Sequence, residues 1–288
     1  MQTLLVIGSS GQLARAIKAL RPDATYLDRS RADLSKPNEL REVLESFNPS
    51  AVINAAAYTQ VDNAEKEEEL ATAVNGFSPE VMAKYCAGRN IPLVHFSTDY
   101  IFDGSGEKPW CEDDAPSPLN AYGRSKLAGE KAIAQAGGKY LIFRTSWVYD
   151  AEGKNFVNTI LRLAAEREEL KIIADQHGAP TYAPHLGKGA LEALTKTAEM
   201  SQFPSGIYHL CNRGTTTWHG FASAIVEHGR RRGIAVKVKN IVPISTSEYP
   251  LPARRPFNSR LDCARALSMF GVSLPDWQEG LADCMERK

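Results

Sequence analysis

The strongest constraint on the fold lies in the first twenty residues. The apolar run "TLLVIG" (3–8) passes at once into "GSSGQLA", and a helix-forming stretch, "QLARAIKAL", follows. A short apolar run that ends in glycine and enters a helix directly is the junction of a βα unit. The same alternation continues along the chain. The runs "ATYLD" (24–28), "SAVINAAA" (50–57), "PLVHFST" (92–98) and "KYLIFRT" (139–145) read as strands. Between them, "PNELREVLESF" and "DNAEKEEELATAVNGFSPEVMAKYCAGR" carry helical periodicity and many good helix formers. The pattern predicts an α/β fold, a Rossmann-like doubly wound parallel sheet covered by helices on both faces.

After about residue 150 the alternation weakens. "DQHGAPTYAP" and "EYPLPARRPFNS" read as ordered loops with restricted backbones. The helix "LGKGALEALTKTAEM" and the strand "GIYHL" (206–210) return to the first layer. The expected division is a dinucleotide-binding domain over 1–150 plus roughly 186–235. A smaller, interleaved C-terminal substrate-binding domain takes roughly 151–185 plus 236–288. Lys+Arg and Asp+Glu both number 34, so no net charge recruits nucleic acid or an anionic membrane. The five cysteines are scattered and never spaced as CxxC, which fits reduced thiols better than disulfides or zinc. The apolar run that stops at Ile7 is too short for a secretory leader or a membrane span. The expectation is a soluble, cytoplasmic chain.

Gly8 and Gly11 sit where strand becomes helix. Glycine permits the tight turn there and lets backbone N–H groups approach a pyrophosphate at the helix N-terminus. Ala14 takes the place of a third glycine, so the spacing is GxxGxxA and the motif alone is weak. Its position at the first strand–helix junction strengthens it. So does Asp28, which ends the second strand 20 residues after Gly8, where an acid would meet adenosine ribose hydroxyls. Asp28 would repel a 2′-phosphate and favours NADH. Arg29 and Arg31 follow directly and would attract one, favouring NADPH. Both cofactors stay open.

A second constellation gives the dinucleotide a task. Ser97 and Thr98 end a buried strand on the side that faces the ligand crevice in such sheets. Tyr122 and Lys126 open the next helix, four residues apart and on one face. Hydride delivery to a carbonyl leaves an alkoxide that needs a proton. A phenol with a pKa of about 10 gives one reluctantly at neutral pH. A nearby ammonium lowers that pKa and is placed to hold the nicotinamide ribose. The Thr98 hydroxyl would hydrogen-bond the same oxygen or the tyrosine.

Together these residues resemble the short-chain dehydrogenase/reductase superfamily, whose Tyr-x-x-x-Lys motif is met by "YGRSK". The length available for a substrate domain points to its extended, nucleotide-sugar branch. More narrowly, the chain resembles the dTDP-4-dehydrorhamnose reductase family. "GSSGQL", "VINAAAYTQVDNAE", "STDYIFDG", "SPLNAYGRSKLAGE", "RTSWVY", "DQHGAPT" and "YPLPARRPFNSRL" match it in order over nearly the whole chain. The resemblance implies NADPH- or NADH-dependent reduction of the C4 ketone of dTDP-4-dehydro-β-L-rhamnose to dTDP-β-L-rhamnose, for bacterial surface polysaccharides.

It also implies roles. Tyr122 would donate the proton, Lys126 would tune it and hold ribose, and Thr98 would assist. Thr98 and Asp99 would touch the sugar, and Trp147 would face it. The cofactor would meet Gly11, Gln12, Leu13, Asp28, Asp33, Leu34, Ala57, Tyr58, Thr59 and Phe96, besides Gly8, Arg29, Tyr122 and Lys126. Some family members carry an acid on the first helix that helps bridge a dimer through magnesium. Here that stretch holds Arg15 and Ala16, and "TYAPHLGKG" offers His185 and Lys188. The expectation is therefore no metal, and a monomer or weak homodimer.

Arg254 and Arg255 are either surface charges or partners for a substrate diphosphate, and Arg255 is the better candidate. His95, Trp218 and Tyr249 read as packing, and "EKEEE" (65–69) as a solvated helix face. Two rival functions remain. A nucleotide-sugar epimerase of the same superfamily would use the same pair. A dehydratase would need a carboxylate where this chain has Tyr100. A non-catalytic NADP-binding regulatory subunit, resembling the β subunit of methionine adenosyltransferase, would keep Tyr122 and Lys126 for cofactor binding alone.

Overall fold

The computed structural model describes residues 3–288. Five strands, β1 (Leu4–Ile7), β2 (Thr25–Leu27), β3 (Ala51–Asn54), β4 (Leu93–Thr98) and β5 (Tyr140–Thr145), join Gly206–His209 in one parallel sheet. Its order is Gly206–His209, β5, β4, β3, β1, β2. The chain leaves β1 toward β2 on one side and returns to β3 on the other. The crevice of such a sheet opens at that reversal, beyond the C-terminal ends of β1 and β3.

Side chains alternate across the sheet with the period of two that strands impose. Leu4, Val6, Ile53, Val94, Phe96, Leu141 and Phe143 face one core, with Ile17 of helix α1 (Gln12–Leu20) and Leu186 and Ala190 of the helix Ala183–Thr197. Leu5, Ile7, Val52, Leu93 and Ile142 face the other. There they meet Leu40 and Leu44 of helix α2 (Pro37–Phe47). Pro37 opens α2 with its φ already set, and Asn48, left-handed at φ 42°, closes it.

The third strand stops at Asn54, so Ala55–Ala57 leave the sheet and form part of the crevice wall. The long helical stretch after it does not form one helix. It divides into α3 (Val61–Ala64), α4 (Glu68–Thr72), a π-helical turn (Ala73–Phe77) and α5 (Ser78–Arg89). The π turn brings Asn75 inward, where it is 1% exposed. Its carbonyl abuts Gly129 of helix α6 (Ala121–Ala136), where an added Cβ would lie 2.1 Å from that oxygen. Only glycine lets the two backbones approach so closely.

The weave between units is tighter than the expected boundaries. Phe221, Ile225 and Val226 of the helix Trp218–Arg231 lie in a separate core with Tyr149, Val157, Ile160 and Leu281. That helix therefore packs with the smaller unit, although it falls within the stretch assigned above to the dinucleotide unit. Ala266, Phe270 and Leu274 come from the stretch given to the smaller unit but pack against the main sheet. Among the described residues no helix is long and apolar enough to cross a membrane.

The α6 contact can be tested with one pair of substitutions. Gly129→Ala is expected to cost about 1–3 kcal/mol through overpacking against Asn75. Gly88 in α5 has open space around it, so Gly88→Ala should stabilise by about 0.5–1 kcal/mol through helix propensity. Urea denaturation of both variants reads the contrast.

Candidate active site

Gly8 adopts φ +105°, and its N–H donates to the Leu27 carbonyl at 2.7 Å. A side chain there would be strained, and its Cβ would lie 3.3 Å from the Ala55 backbone. The turn delivers Gly11 to the N-cap of α1. No side chain caps that helix, and its first turn holds no acid. The orphan N–H groups and the positive end of the helix dipole therefore point freely into the crevice. This is the cradle a pyrophosphate needs.

The crevice has a volume of about 710 Å³. Gly8, Gly11, Gln12 and Leu13 line it from the turn and α1, and Asp28, Arg29, Asp33 and Leu34 from beyond β2. Ala57, Tyr58 and Thr59 line it from beyond β3, Phe96 from β4, and Tyr122 and Lys126 from α6. Three buried polar atoms on its wall, Gln12 Oε1, Ser97 Oγ and Thr145 Oγ1, have no hydrogen-bond partner among the described residues. Buried polar atoms in native structures are nearly always satisfied, so this wall fits a polar guest. A nicotinamide dinucleotide fits the glycine turn, the bare helix end and these orphan atoms.

At the β2 end, Asp28 accepts from the Ser30 hydroxyl at 2.6 Å and the Ser30 N–H at 3.0 Å. The hydroxyl is the main cause that holds this carboxyl below its ordinary range. Arg29 lies 3.4 Å from Asp33. The opposing charges noted in the sequence are thus neighbours at one end of the crevice.

At the opposite end, α6 presents Tyr122 and Lys126. The helix starts at Asn120, whose side chain accepts from the Gly123 N–H at 2.8 Å and donates to the Arg254 carbonyl at 2.8 Å. Burial pushes the Tyr122 phenol up to about 12, and the nearby Thr98 hydroxyl works in the opposite direction. Lys126 is 2% exposed, and burial lowers its pKa to about 8. Lys126 Nζ donates to the Phe96 carbonyl at 2.6 Å and lies 3.2 Å from His95 Nε2. It faces β4, while the phenol faces Thr98.

Behind Tyr122, the Thr98 hydroxyl donates to Asp99 Oδ1 at 3.1 Å. Burial lifts Asp99 to about 7, and its Oδ2 has no partner among the described residues. Trp147 lies on the same side with a left-handed backbone, φ 49°. Its ring stacks on Trp218 at 3.7 Å and lies over Gly178, where a Cβ would meet it at 2.8 Å. Such strain in a bulky residue costs about 1–3 kcal/mol and persists only where the surroundings enforce it.

Arg255 is not free. Its guanidinium makes two 2.8 Å bonds to the Asp62 carboxylate and donates to the Ala253 carbonyl. The loop it belongs to is clasped to α3, and a diphosphate would have to compete with Asp62.

A family model described as the RmlD substrate binding domain matches residues 1–288. The dTDP-4-dehydrorhamnose reductase of Burkholderia thailandensis is 47% identical, over 98% of this chain and 97% of its own length. That of Escherichia coli strain K12 is 43% identical, over 96% and 95%. The crystal structure of the Bacillus anthracis dTDP-4-dehydrorhamnose reductase in complex with NADP superimposes with a TM-score of 0.88, at 34% identity and 100% coverage of both chains. The chain belongs to the dTDP-4-dehydrorhamnose reductase family.

Several residues at this family member's site escaped the sequence reading. Asn75 bonds both the N–H and the carbonyl of Tyr58, at 2.9 and 3.0 Å, and reaches Ser125 Oγ at 3.0 Å. It ties the crevice wall to α6. The acidic run 65–69 is more than a solvated face. Glu65 accepts from the Ala121 N–H at 2.7 Å, an orphan donor of α6, and Glu68 pairs with Arg124 at 2.7 Å. Trp218, read as packing, backs Trp147. A buried Asn and a capping Glu have polar types that sequence shows, but their partners lie far along the chain.

Asp99 gives a prediction with a defined sign. Its folded pKa of about 7 lies above the ordinary 3.8, so folding favours the protonated form. That stability is fully present below about pH 4 and is lost as pH rises to about 7. Asp99→Asn should therefore be stabilising above pH 8, by roughly 2–4 kcal/mol, with little effect near pH 4. Urea melts of both proteins across this range measure it, and a difference that does not grow with pH contradicts it.

Proposed function

We propose that this chain reduces the C4 ketone of dTDP-4-dehydro-β-L-rhamnose to dTDP-β-L-rhamnose. The observation that carries the reading is that Tyr122, with Thr98 beside its phenol, and Lys126 line the same crevice as the phosphate-cradling turn. A bound nicotinamide dinucleotide would supply the hydride. Gly8, Gly11, Gln12 and Leu13 would hold its pyrophosphate region, and Asp28 its adenosine ribose. NADPH and NADH are both accommodated in this reading. Arg29 beside Asp33 and the NADP complex of the Bacillus anthracis relative support the phosphorylated form.

The protein's own share is protonation and alignment. The Tyr122 phenol gives its proton to the carbonyl oxygen as C4 becomes tetrahedral, and solvent restores it. Thr98 holds the phenol and steadies the phenolate by hydrogen bonding. Lys126 stabilises that phenolate and orients the nicotinamide ribose. Asp99 and the Trp147 ring stand where they would bound the sugar. Arg255 fits better as the clasp of that wall than as a diphosphate ligand, because Asp62 engages it.

Reduced cofactor and the 4-keto sugar nucleotide, mixed with the protein, test the proposal. Loss of nicotinamide absorbance is expected with wild type. Tyr122→Phe should lower kcat at least 100-fold, the usual scale of lost general-acid catalysis. No turnover by wild type with either cofactor overturns the reductase reading, and undiminished turnover by the variant removes Tyr122 from its role.

A further inference from the structure

His95 was expected to serve packing, yet its two ring nitrogens face two polar groups. It sits within β4 at 1% exposure. Nδ1 lies 3.1 Å from Asn54 Nδ2, and Nε2 lies 3.2 Å from Lys126 Nζ. The orientation of the Asn54 amide follows from its other contact. The Ala56 N–H can only donate, and it donates to Asn54 Oδ1 at 3.2 Å. The NH₂ group of Asn54 is therefore the end that faces His95, and Nδ1 must accept. A neutral imidazole that accepts at Nδ1 carries its proton on Nε2. That proton points at the Lys126 nitrogen.

Two donors cannot share one hydrogen bond. An ammonium has no lone pair, whereas a neutral amine accepts from Nε2–H while still donating to the Phe96 carbonyl. We infer that His95 is a positioning residue for the reduction: Asn54 fixes its proton on Nε2, and that proton directs the Lys126 amine and disfavours its charged form. The catalytic part of this inference rests on the reductase reading above, and the tautomer part does not.

The charged surroundings of the amine agree. On its own helix stand Tyr122 and Glu130, and from β4 comes His95. Glu130 would favour the ammonium, but Arg144 of β5 binds that carboxylate through 2.7 and 3.0 Å bonds. Burial and Lys126 together hold the His95 imidazole neutral. Glu130 is the charged group that acts on the amine and favours its ammonium form, and burial opposes it.

Two measurements test the assignment. Nitrogen-15 NMR of the histidine rings in the full-length protein reads the tautomer with no substrate present. The His95 ring should stay neutral with its proton on Nε2 from pH 6 to 9, and a proton on Nδ1 overturns the proposal. The second is the pH profile of kcat for wild type and His95→Gln, whose side chain can turn a carbonyl toward Lys126. Wild-type turnover should fall as pH rises through about 8, where Lys126 loses its proton.

In His95→Gln that limb should move up by about one unit, so that turnover at pH 9 relative to pH 7 rises roughly fivefold over wild type. A purely structural role would scale kcat equally at every pH, and an unmoved limb refutes the coupling. Should His95→Gln fail to fold, the ring spectrum of wild type decides alone. Should wild type reduce no sugar nucleotide, the tautomer is still read, and only the catalytic part falls with the reductase reading.

Discussion

The site depends on an ion pair that takes no part in its chemistry. Arg144 of β5 and Glu130 of α6 are each 2% exposed, and three N–H···O bonds of 2.7–3.2 Å join them. Taking both charges out of water costs several kcal/mol each, and only near-ideal geometry offsets that. The planar guanidinium supplies it, and its remaining arm donates to the Glu112 carbonyl at 3.2 Å. What the pair contributes is register. Sliding α6 by one residue would shift Glu130 by about 1.5 Å and 100° and strand both charges. Tyr122, Lys126 and Glu130 follow at intervals of four on one stripe of α6, so the buried pair also sets the height and rotation of Tyr122.

The two flanks of that stripe obey a different constraint, that of close approach. A Cβ at Gly123 would lie 2.2 Å from the Tyr100 carbonyl, as one at Gly129 would crowd Asn75. These two glycines draw the helix against the turn after β4 and against the π turn. The first contact places Thr98 and Asp99 beside the phenol, and the second joins the Tyr58 loop to the same helix. Helix stability is given up at both positions, since glycine lowers it by about 1 kcal/mol relative to alanine. What is gained is the position of one side chain against another.

The sheet, the glycine turn and the Tyr–Lys pair were legible because each is a local pattern. A strand's period of two, a glycine at a strand–helix junction and an i, i+4 pair follow from a few neighbouring residues. The fourteen residues that line the crevice and had been assigned to the cofactor were reached partly through family resemblance. What stayed hidden depends on distant partners. Arg255 looked free because Asp62 lies 193 residues away. The acidic run looked solvated because Glu65 and Glu68 meet α6 across 56 residues. The helix after β3 read as continuous because nothing in its composition marks the π turn, which forms against Gly129. The helix Trp218–Arg231 falls in the range expected for the dinucleotide unit yet shares a core with Val157, Ile160 and Leu281, because amphipathicity tells that a face is buried but not against what.

The same burial that hides these groups also decides their charge. In water a tyrosine and a lysine lose their protons at nearly the same pH. Here Tyr122 rises to about 12 and Lys126 falls to about 8, so both are drawn to neutrality by one cause. A phenol held this high is a poor proton donor unless the charge it leaves behind is met at once. The low dielectric that opposes each charge alone strengthens their attraction when both appear together. A phenolate forming on Tyr122 would raise the proton affinity of Lys126, and an ammonium on Lys126 would ease loss of the phenol proton. The two titrations are then one coupled event. His95, its proton set by Asn54, would oppose the charge on the amine, and Thr98 would meet the phenolate as it forms.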